Sequence, residues 1–281
     1  MRISLVVTTR NRATQLAESL SQWQKLEVPD GSWELVVVDN GSTDSTRAVL
    51  DAHTSLLPLT VVTEPTIGAG GAHNAGWKAS RGEVVAFVDD DCYPAPDFLS
   101  AVLRRFDEGP EIGFVGGRVL LHDPDDYPIT IQTSLEHREF LPGQFLHPGI
   151  IHGANVSFRR STLEAISGYD PRLGPGTPFS GDDVDAQCRA LTAGFIGAYD
   201  PRVLVYHHHR RRGEREIRRL KRKYDVGRGA YYARQIVFVP SLRYEYARNW
   251  YWQIRAHPWK RTFREFQGAA HYLIRRALRI R

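Results

Sequence analysis

Val84-Val85-Ala86-Phe87-Val88-Asp89-Asp90-Asp91 is the stretch on which the fold turns, with Cys92-Tyr93-Pro94 bringing it to a stop. Five apolar residues in a row, bounded by a turn signal, read as a strand buried on both faces. Carboxylates at the carboxyl end of such a strand stand where open α/β sheets bind their ligands. In water, three adjacent acids make an ordinary turn. Beside a dry strand end their mutual repulsion calls for a cation, and hard oxygen ligands select Mg²⁺ or Mn²⁺, which can hold a diphosphate.

Working outward, strand-like runs alternate with helical patterns. Ile3 to Thr8 is β-rich, Ala13 to Trp23 carries apolar residues at helical spacing, and Leu35 to Val38 is a buried strand ending in Asp39-Asn40-Gly41-Ser42. Thr43 to Ala52 reads as a helix with Ser42 as its N-cap, and Leu59 to Thr63 as a third strand. Gly68 to Gly71 leads into a helix running to Ala79. This β-α-β-α-β-α-β order predicts an α/β fold, a doubly wound, mostly parallel sheet with helices on both faces. After a helix over Phe98 to Phe106, Pro and Gly scatter through residues 109–181, so a loop-rich region with a variable binding surface is expected there. A dinucleotide fingerprint is excluded, because Asp39 precedes the glycines and His73 stands where the third glycine belongs; no P-loop occurs either.

A chain of 281 residues, 42% of them hydrophobic, can bury a sizeable core, which rules out a disordered protein. Cys92 and Cys188 are too few for a disulfide framework and suit a reducing compartment. Met1-Arg2 runs straight into the first strand without a leader-like apolar region, and no apolar stretch approaches the roughly 18 residues of a membrane span. A cytoplasmic location is therefore expected. Charge is divided unevenly: residues 1–209 carry 16 Lys and Arg against 27 Asp and Glu, whereas residues 210–281 carry 21 against 5. Such a tail suits a polyanion, either an anionic membrane surface or nucleic acid, unless it neutralises its own acidic body.

Six segments together resemble one family. They are Val6-Val7-Thr8-Thr9-Arg10-Asn11-Arg12, Val37-Val38-Asp39-Asn40-Gly41-Ser42-Thr43-Asp44, Gly70-Gly71-Ala72-His73-Asn74-Ala75-Gly76, Phe87-Val88-Asp89-Asp90-Asp91, Gly168-Tyr169-Asp170 and Gly181-Asp182-Asp183-Val184-Asp185. In this order they resemble the inverting, nucleotide-sugar-dependent glycosyltransferases with the GT-A fold. The resemblance implies a transferase domain over residues 1–209, with a donor-binding half to about residue 110 and an acceptor-binding half beyond it. Residues 210–281 form a basic helical extension. The resemblance also implies a nucleoside-diphosphate sugar as donor, a UDP-sugar by default, and a glycan or lipid-linked hydroxyl as acceptor. Thr8, Arg10, Arg12 and Asp39 would meet the nucleobase and ribose, Asp39 having an Asx turn with Gly41 as its alternative role. His73 and Asn74 would open a helix near the phosphates, with His73 standing where the family commonly has Arg. Asp89 and Asp90 belong to the same nucleotide site.

Asp91 would be the direct metal ligand of a D-x-D element. Asp183 would be the base that takes the acceptor proton, and Asp182, in place of the usual Glu, would lie on the acceptor; as an alternative, either acid could cap the helix Val184 to Leu191. The strand Val203 to Tyr206 leads into His207-His208-His209, where the resemblance implies a third metal ligand; alternation sets His207 and His209 on the side opposite His208, and His207 is the favoured candidate of the three. Phe263, Phe266, Ala270, Leu273, Ala277 and Ile280 recur at helical spacing opposite Arg264, Arg275 and Arg279, which suits peripheral contact with an anionic membrane or packing against the body. Two other functions stay open: a nucleic-acid-binding protein working through the tail, and a retaining transferase. The acidic body and the lack of a recognised motif argue against nucleic acid.

Overall fold

A computed structural model describes residues 1–278. Strands β1 (Ile3–Thr9), β2 (Trp33–Asp39), β3 (Leu59–Thr63) and β4 (Val84–Asp89) alternate with helices α1 (Ala13–Trp23), α2 (Thr46–His53) and α3 (Ala69–Ala79). The four strands pair in parallel in the order β3-β2-β1-β4. Register sets Thr8 beside Asp89 and Thr9 beside Asp39, so three strands deliver polar ends to one edge of the sheet. Because β1 has β2 on one side and β4 on the other, a crevice opens at these carboxyl ends. Alternate strand residues feed two cores. Leu5, Val7, Val37 and Ala86 pack under α1 and α4 (Phe98–Glu108), while Val6, Val36, Val85 and Phe87 pack on the opposite face.

Helix α2 starts later than expected. The Ser42 hydroxyl accepts a hydrogen bond from the Asn11 N–H (3.0 Å), and Asp44 Oδ1 accepts from the Thr46 N–H (3.0 Å), so Asp44 and not Ser42 serves the first turn.

The region expected to be loop-rich contains β6 (Ile112–Leu121), β7 (Arg138–Phe140), β8 (Val156–Arg159) and α5 (Arg160–Ala165), following the short β5 (Cys92–Pro94). Glycines hid β6, because they interrupt its apolar pattern. Close packing requires them: a Cβ on Gly117 would lie 1.9 Å from the Val203 carbonyl oxygen, and one on Gly116 2.3 Å from Ile151. β8 runs antiparallel to both β4 and β6; then come α6 (Asp182–Thr192) and β9 (Ile196–His207), which starts seven residues before the expected Val203. β9 is parallel to β6 and antiparallel to β5 and β7. The sheet is thus doubly wound and parallel through β1–β4 and mixed beyond.

The tail is helical: α7 (Glu214–Phe238), α8 (Arg243–Ala256) and α9 (Trp259–Ala277). Its inner faces pack on the body and on each other. α7 buries Ala230, Tyr231 and Tyr232, Arg234 Nη1 lies 2.7 Å from Asp185 Oδ1, and the Tyr272 hydroxyl donates to Asp170 Oδ2 at 3.2 Å. Helices α7 and α9 approach to glycine distance. A Cβ on Gly229 would lie 1.8 Å from the Glu265 carbonyl oxygen, and one on Gly268 1.9 Å from that of Val226. The side of α9 turned to α7 is Glu265, Gly268, Ala269 and Tyr272, so the expected apolar set is not its packed face; Phe263 and Phe266 stay exposed. Arg279 and Ile280 of that set lie outside the described residues. Among the described residues no helix is long and apolar enough to cross a membrane.

Candidate active site

β4 delivers Asp89, the chain turns through Asp90 and Asp91, and β5 then pairs with β9 so that Cys92 stands opposite His207. The His208 N–H donates to the Asp91 carbonyl (2.8 Å), and His207 Nε2 comes 3.2 Å from Asp91 Oδ1, both side chains nearly buried. Strand alternation turns His208 to the Tyr93 hydroxyl (3.0 Å), while His209 Nδ1 lies 3.7 Å from Asp126 Oδ2. Asp89, Asp91, Cys92 and His207 offer ligand atoms within 4.8 Å of one another. Asp91 Oδ1 is buried without a well-formed hydrogen bond, which a cation would remedy. Carboxylates with an imidazole fit Mn²⁺ or Mg²⁺. Cys92 fits poorly, because burial and the neighbouring carboxylates push its thiol up and keep it protonated.

The acids already have countercharge within the chain, which the sequence did not reveal. Arg12 Nη2 lies 2.7 Å from Asp91 Oδ2 and Nη1 3.3 Å from Asp90 Oδ1, so a residue expected on the nucleotide is engaged with the acid turn. Burial works against ionisation throughout this cluster. At Asp91, His207 and Arg12 outweigh it and hold the carboxyl below its usual range. At Asp89, burial and then Asp91 prevail, and the carboxyl is raised. Asp90 is pushed up to about 7 by burial, although Arg12 and the Thr9 hydroxyl (2.6 Å) oppose this.

On the donor side, Asp39 Oδ1 accepts the N–H of Ser42 at 2.9 Å, so it holds the turn one residue beyond the Gly41 of the expected Asx turn. Thr8 stands beside Asp89, and Arg10 is exposed just past β1, with no ion pair among the described residues. Asn11 and Asp44, whose roles were not anticipated, clamp the two loops together: Asn11 Oδ1 accepts the Thr43 N–H (2.7 Å) and Asp44 Oδ2 the Ala13 N–H (3.1 Å). Asn11 holds φ +53°, a left-handed conformation that Asn tolerates. His73 and Asn74 lie in the second turn of α3 and do not open it. Asn74 makes three hydrogen bonds: Nδ2 donates to the Tyr169 carbonyl (2.8 Å), and Oδ1 accepts from the Tyr169 N–H (2.8 Å) and Trp77 Nε1 (3.0 Å). It thereby braces the Gly168-Tyr169 turn. His73 packs on Tyr169 and Phe87, with Nδ1 3.6 Å from Asp182 Oδ2.

α6 begins at Asp182 after Gly181 (φ +101°), and no side chain caps it, which removes the capping alternative for both acids. Asp183 is half-buried in the first turn, where its Oδ2 accepts the Gly153 N–H at 2.8 Å. Burial, then the neighbouring Asp182, raises its carboxyl to about 6, and the charge of Asp89 adds to the rise. A carboxylate so tuned can accept a proton near neutral pH. Asp185 is committed elsewhere, to Arg189 (2.9 Å) and Arg234 (2.7 Å). Two further residues escaped the sequence reading. Burial pushes His152, next to Gly153, down to about 4. Tyr224 of α7 is pushed up to about 12 by burial, with Arg211 opposing and Asp183 and Asp89 adding. No local pattern marks either residue: one sits in a Gly-rich loop, the other in a cationic run.

Residues 4–167 match the family model described as Glycosyl transferase family 2. The glycosyltransferase AglE of Haloferax volcanii is 26% identical over 235 residues, covering 81% of this chain and 72% of that protein. The pre-mycofactocin glycosyltransferase of Mycobacterium tuberculosis is 28% identical over 218 residues, covering 74% of this chain but 43% of its own length, so the chain spans less than half of that relative. Among solved structures, the mannosyltransferase PcManGT from Pyrobaculum calidifontis in complex with GDP-Man and Mn²⁺ matches with a TM-score of 0.63 at 21% identity, covering 99% of this chain and 75% of that one. TarS of S. aureus in complex with UDP-GlcNAc matches at 0.61 and 23%, covering 75% and 59%. These likenesses show the fold, which is that of the GT-A glycosyltransferases. With the family match running from β1 through the acid turn and β8 to Ser167, just before the turn that Asn74 braces, the chain belongs to glycosyl transferase family 2.

Proposed function

We propose that this protein transfers a sugar from a nucleoside-diphosphate donor, a UDP-sugar by default, to a hydroxyl of a glycan or lipid-linked acceptor with inversion at the anomeric carbon. Residues 1–209 carry the reaction and residues 210–281 cover it. Thr8, Arg10 and Asp39 bind base and ribose, and Asp89 orients the sugar end of the donor. A divalent cation, Mn²⁺ or Mg²⁺, would be held by Asp91 and His207 and would supply positive charge against that developing on the departing diphosphate. Asp183 takes the proton of the acceptor hydroxyl while the acceptor oxygen bonds to the anomeric carbon. The bond from that carbon to the diphosphate oxygen breaks, and the leaving group keeps the electron pair. Asp182 lies at the acceptor and sustains the proton affinity of Asp183.

The observation that carries this reading is the half-open Asp183, raised to about 6 and within electrostatic reach of Asp89 across the crevice. Screening UDP- and GDP-sugars with Mn²⁺, followed by NMR of the product, tests it; a product with retained anomeric configuration overturns the inverting step. Asp183→Asn keeps size but cannot accept the proton, so donor affinity should persist while turnover drops about 10²–10⁴-fold. Near-normal turnover in that variant would assign the base to another residue.

A further inference from the structure

Helix α9 presents its two faces in an unusual way. The side packed on α7 carries Glu265, Gly268 and Tyr272, with Glu265 hydrogen-bonded to Arg228 (2.9 Å) and Trp250 (2.8 Å). The side turned to solvent carries Trp259, Phe263, Phe266, Ala270, Ile274 and Leu278, spaced by three and four residues. Trp259 is 72% exposed, Phe263 56% and Ile274 57%, while Phe266, 52% exposed, rests one side of its ring on Trp250 of α8 (5.3 Å between centroids). A surface helix ordinarily shows the reverse arrangement. At 1.5 Å per residue the stripe is about 28 Å long. Tyr251 and Trp252 of α8 are exposed as well, with their rings 5.4 Å apart. Arg248, Arg255 and Lys260 stand on these two helices, and among the described residues none has an acidic partner within 4.0 Å. The segment they belong to holds 21 basic and 5 acidic residues, on a body of opposite charge.

We infer that the outward aromatic face of α8 and α9 docks this protein on an anionic lipid bilayer. Trp and Tyr with an apolar body and a polar tip, set beside Arg and Lys that have no acidic partner among the described residues, match the headgroup boundary, where rings enter the acyl edge and cations meet lipid phosphates. Charge decides against a second copy of the chain. Two such faces would bring like charges together, whereas an anionic surface supplies the countercharge. The acidic body is repelled by the same surface, which orients the molecule with its tail toward the lipid.

The test uses the whole chain with vesicles of phosphatidylcholine alone or mixed with phosphatidylglycerol. Binding to the anionic vesicles is expected at low ionic strength, with a blue shift of Trp emission, and is expected to weaken at about 0.5 M salt. Trp259→Ser/Phe263→Ser/Ile274→Ser should lower partitioning at least about tenfold on anionic vesicles. Arg248→Gln and Lys260→Gln should each lower it up to about fivefold on anionic vesicles and leave neutral ones unchanged. All five side chains are exposed, so melting temperature and donor turnover in solution should stay at the parent values, which separates this inference from the proposed reaction. Equal partitioning of the parent and the triple variant overturns the inference, as does absence of binding to either vesicle. A parent that is dimeric in solution while the triple variant is monomeric would give the face to a second copy and equally overturn it.

Discussion

At Asp183 a carboxyl with an ordinary pKa of 3.8 is pushed up to about 6 by burial and by Asp182, and this has consequences for both rate and stability. The base works only when ionised, so kcat/KM should fall with a one-proton slope below about pH 6. The folded-state pKa lies above the unfolded one, so the stabilising contribution belongs to the protonated form: it is fully present below pH 3.8 and lost as pH rises through about 6. Asp183→Asn should therefore raise stability near pH 7.5 by about 1–2 kcal/mol, allowing for solvent at this half-buried site, and by nothing below pH 3.8. Denaturant titrations of both proteins across that range check this; a variant no more stable than the parent at pH 7.5 refutes it. Asp91 is the opposite case, an acid that His207 and Arg12 keep ionised. Asp91→Ala should abolish Mn²⁺-assisted binding of nucleoside diphosphate in titration calorimetry, and undiminished metal-assisted binding would place the ion elsewhere. The position of Asp89 to Asp91 at a strand end was legible from residue type, whereas the roles expected of Asp183 and His207 rested on the family resemblance and motif order. The Arg12 and Asn74 contacts were not legible, because a partner 79 or 95 residues away leaves no trace in local spacing.

Among the elements, those with strong periodicity were readable, and those whose glycines serve packing were not. β1 to β4 are short apolar runs with polar ends, whereas β6 was concealed by Gly113, Gly116 and Gly117, and the inner face of α9 by Gly268. Glycine lowers both strand and helix propensity, yet at these positions another backbone or a side chain occupies the space a Cβ would need. The contact of α7 with α9 gives the sharpest test. Gly268→Ala would set a methyl 1.9 Å from the Val226 carbonyl, with backbone rather than a flexible side chain in the way. The helices must separate, at a cost of about 1–3 kcal/mol, read as a lower melting temperature. Gly71→Ala, where nothing lies within 4 Å of the added carbon, is the matched control and should be neutral or slightly stabilising. Equal effects from both would mean that the close approach is not what holds the tail.

For the molecule as a whole, the join between β5 and β9 matters beyond chemistry. It brings residue 91 to residue 207 through pairings that also involve β6 and β7, so the acid turn gains its histidine only when the last strand of the sheet is in place. Contacts of such sequence separation carry a large loop-closure cost and form after local ones. β1 to β4, with their short connections, can assemble first, and in that interval Arg12 is the cation nearest the acids. His207, the proposed metal ligand, would then join after the folding transition state. A ligand that binds only what forms late cannot speed the climb to that state; it deepens the native well alone. In stopped-flow denaturant jumps, Mn²⁺ should therefore lengthen the unfolding half-life and leave the refolding rate unchanged, and a metal-accelerated refolding phase would mean that β9 docks early. Measured this way, the bound ion would report the order in which the sheet closes, and its lasting effect on the protein would be kinetic persistence.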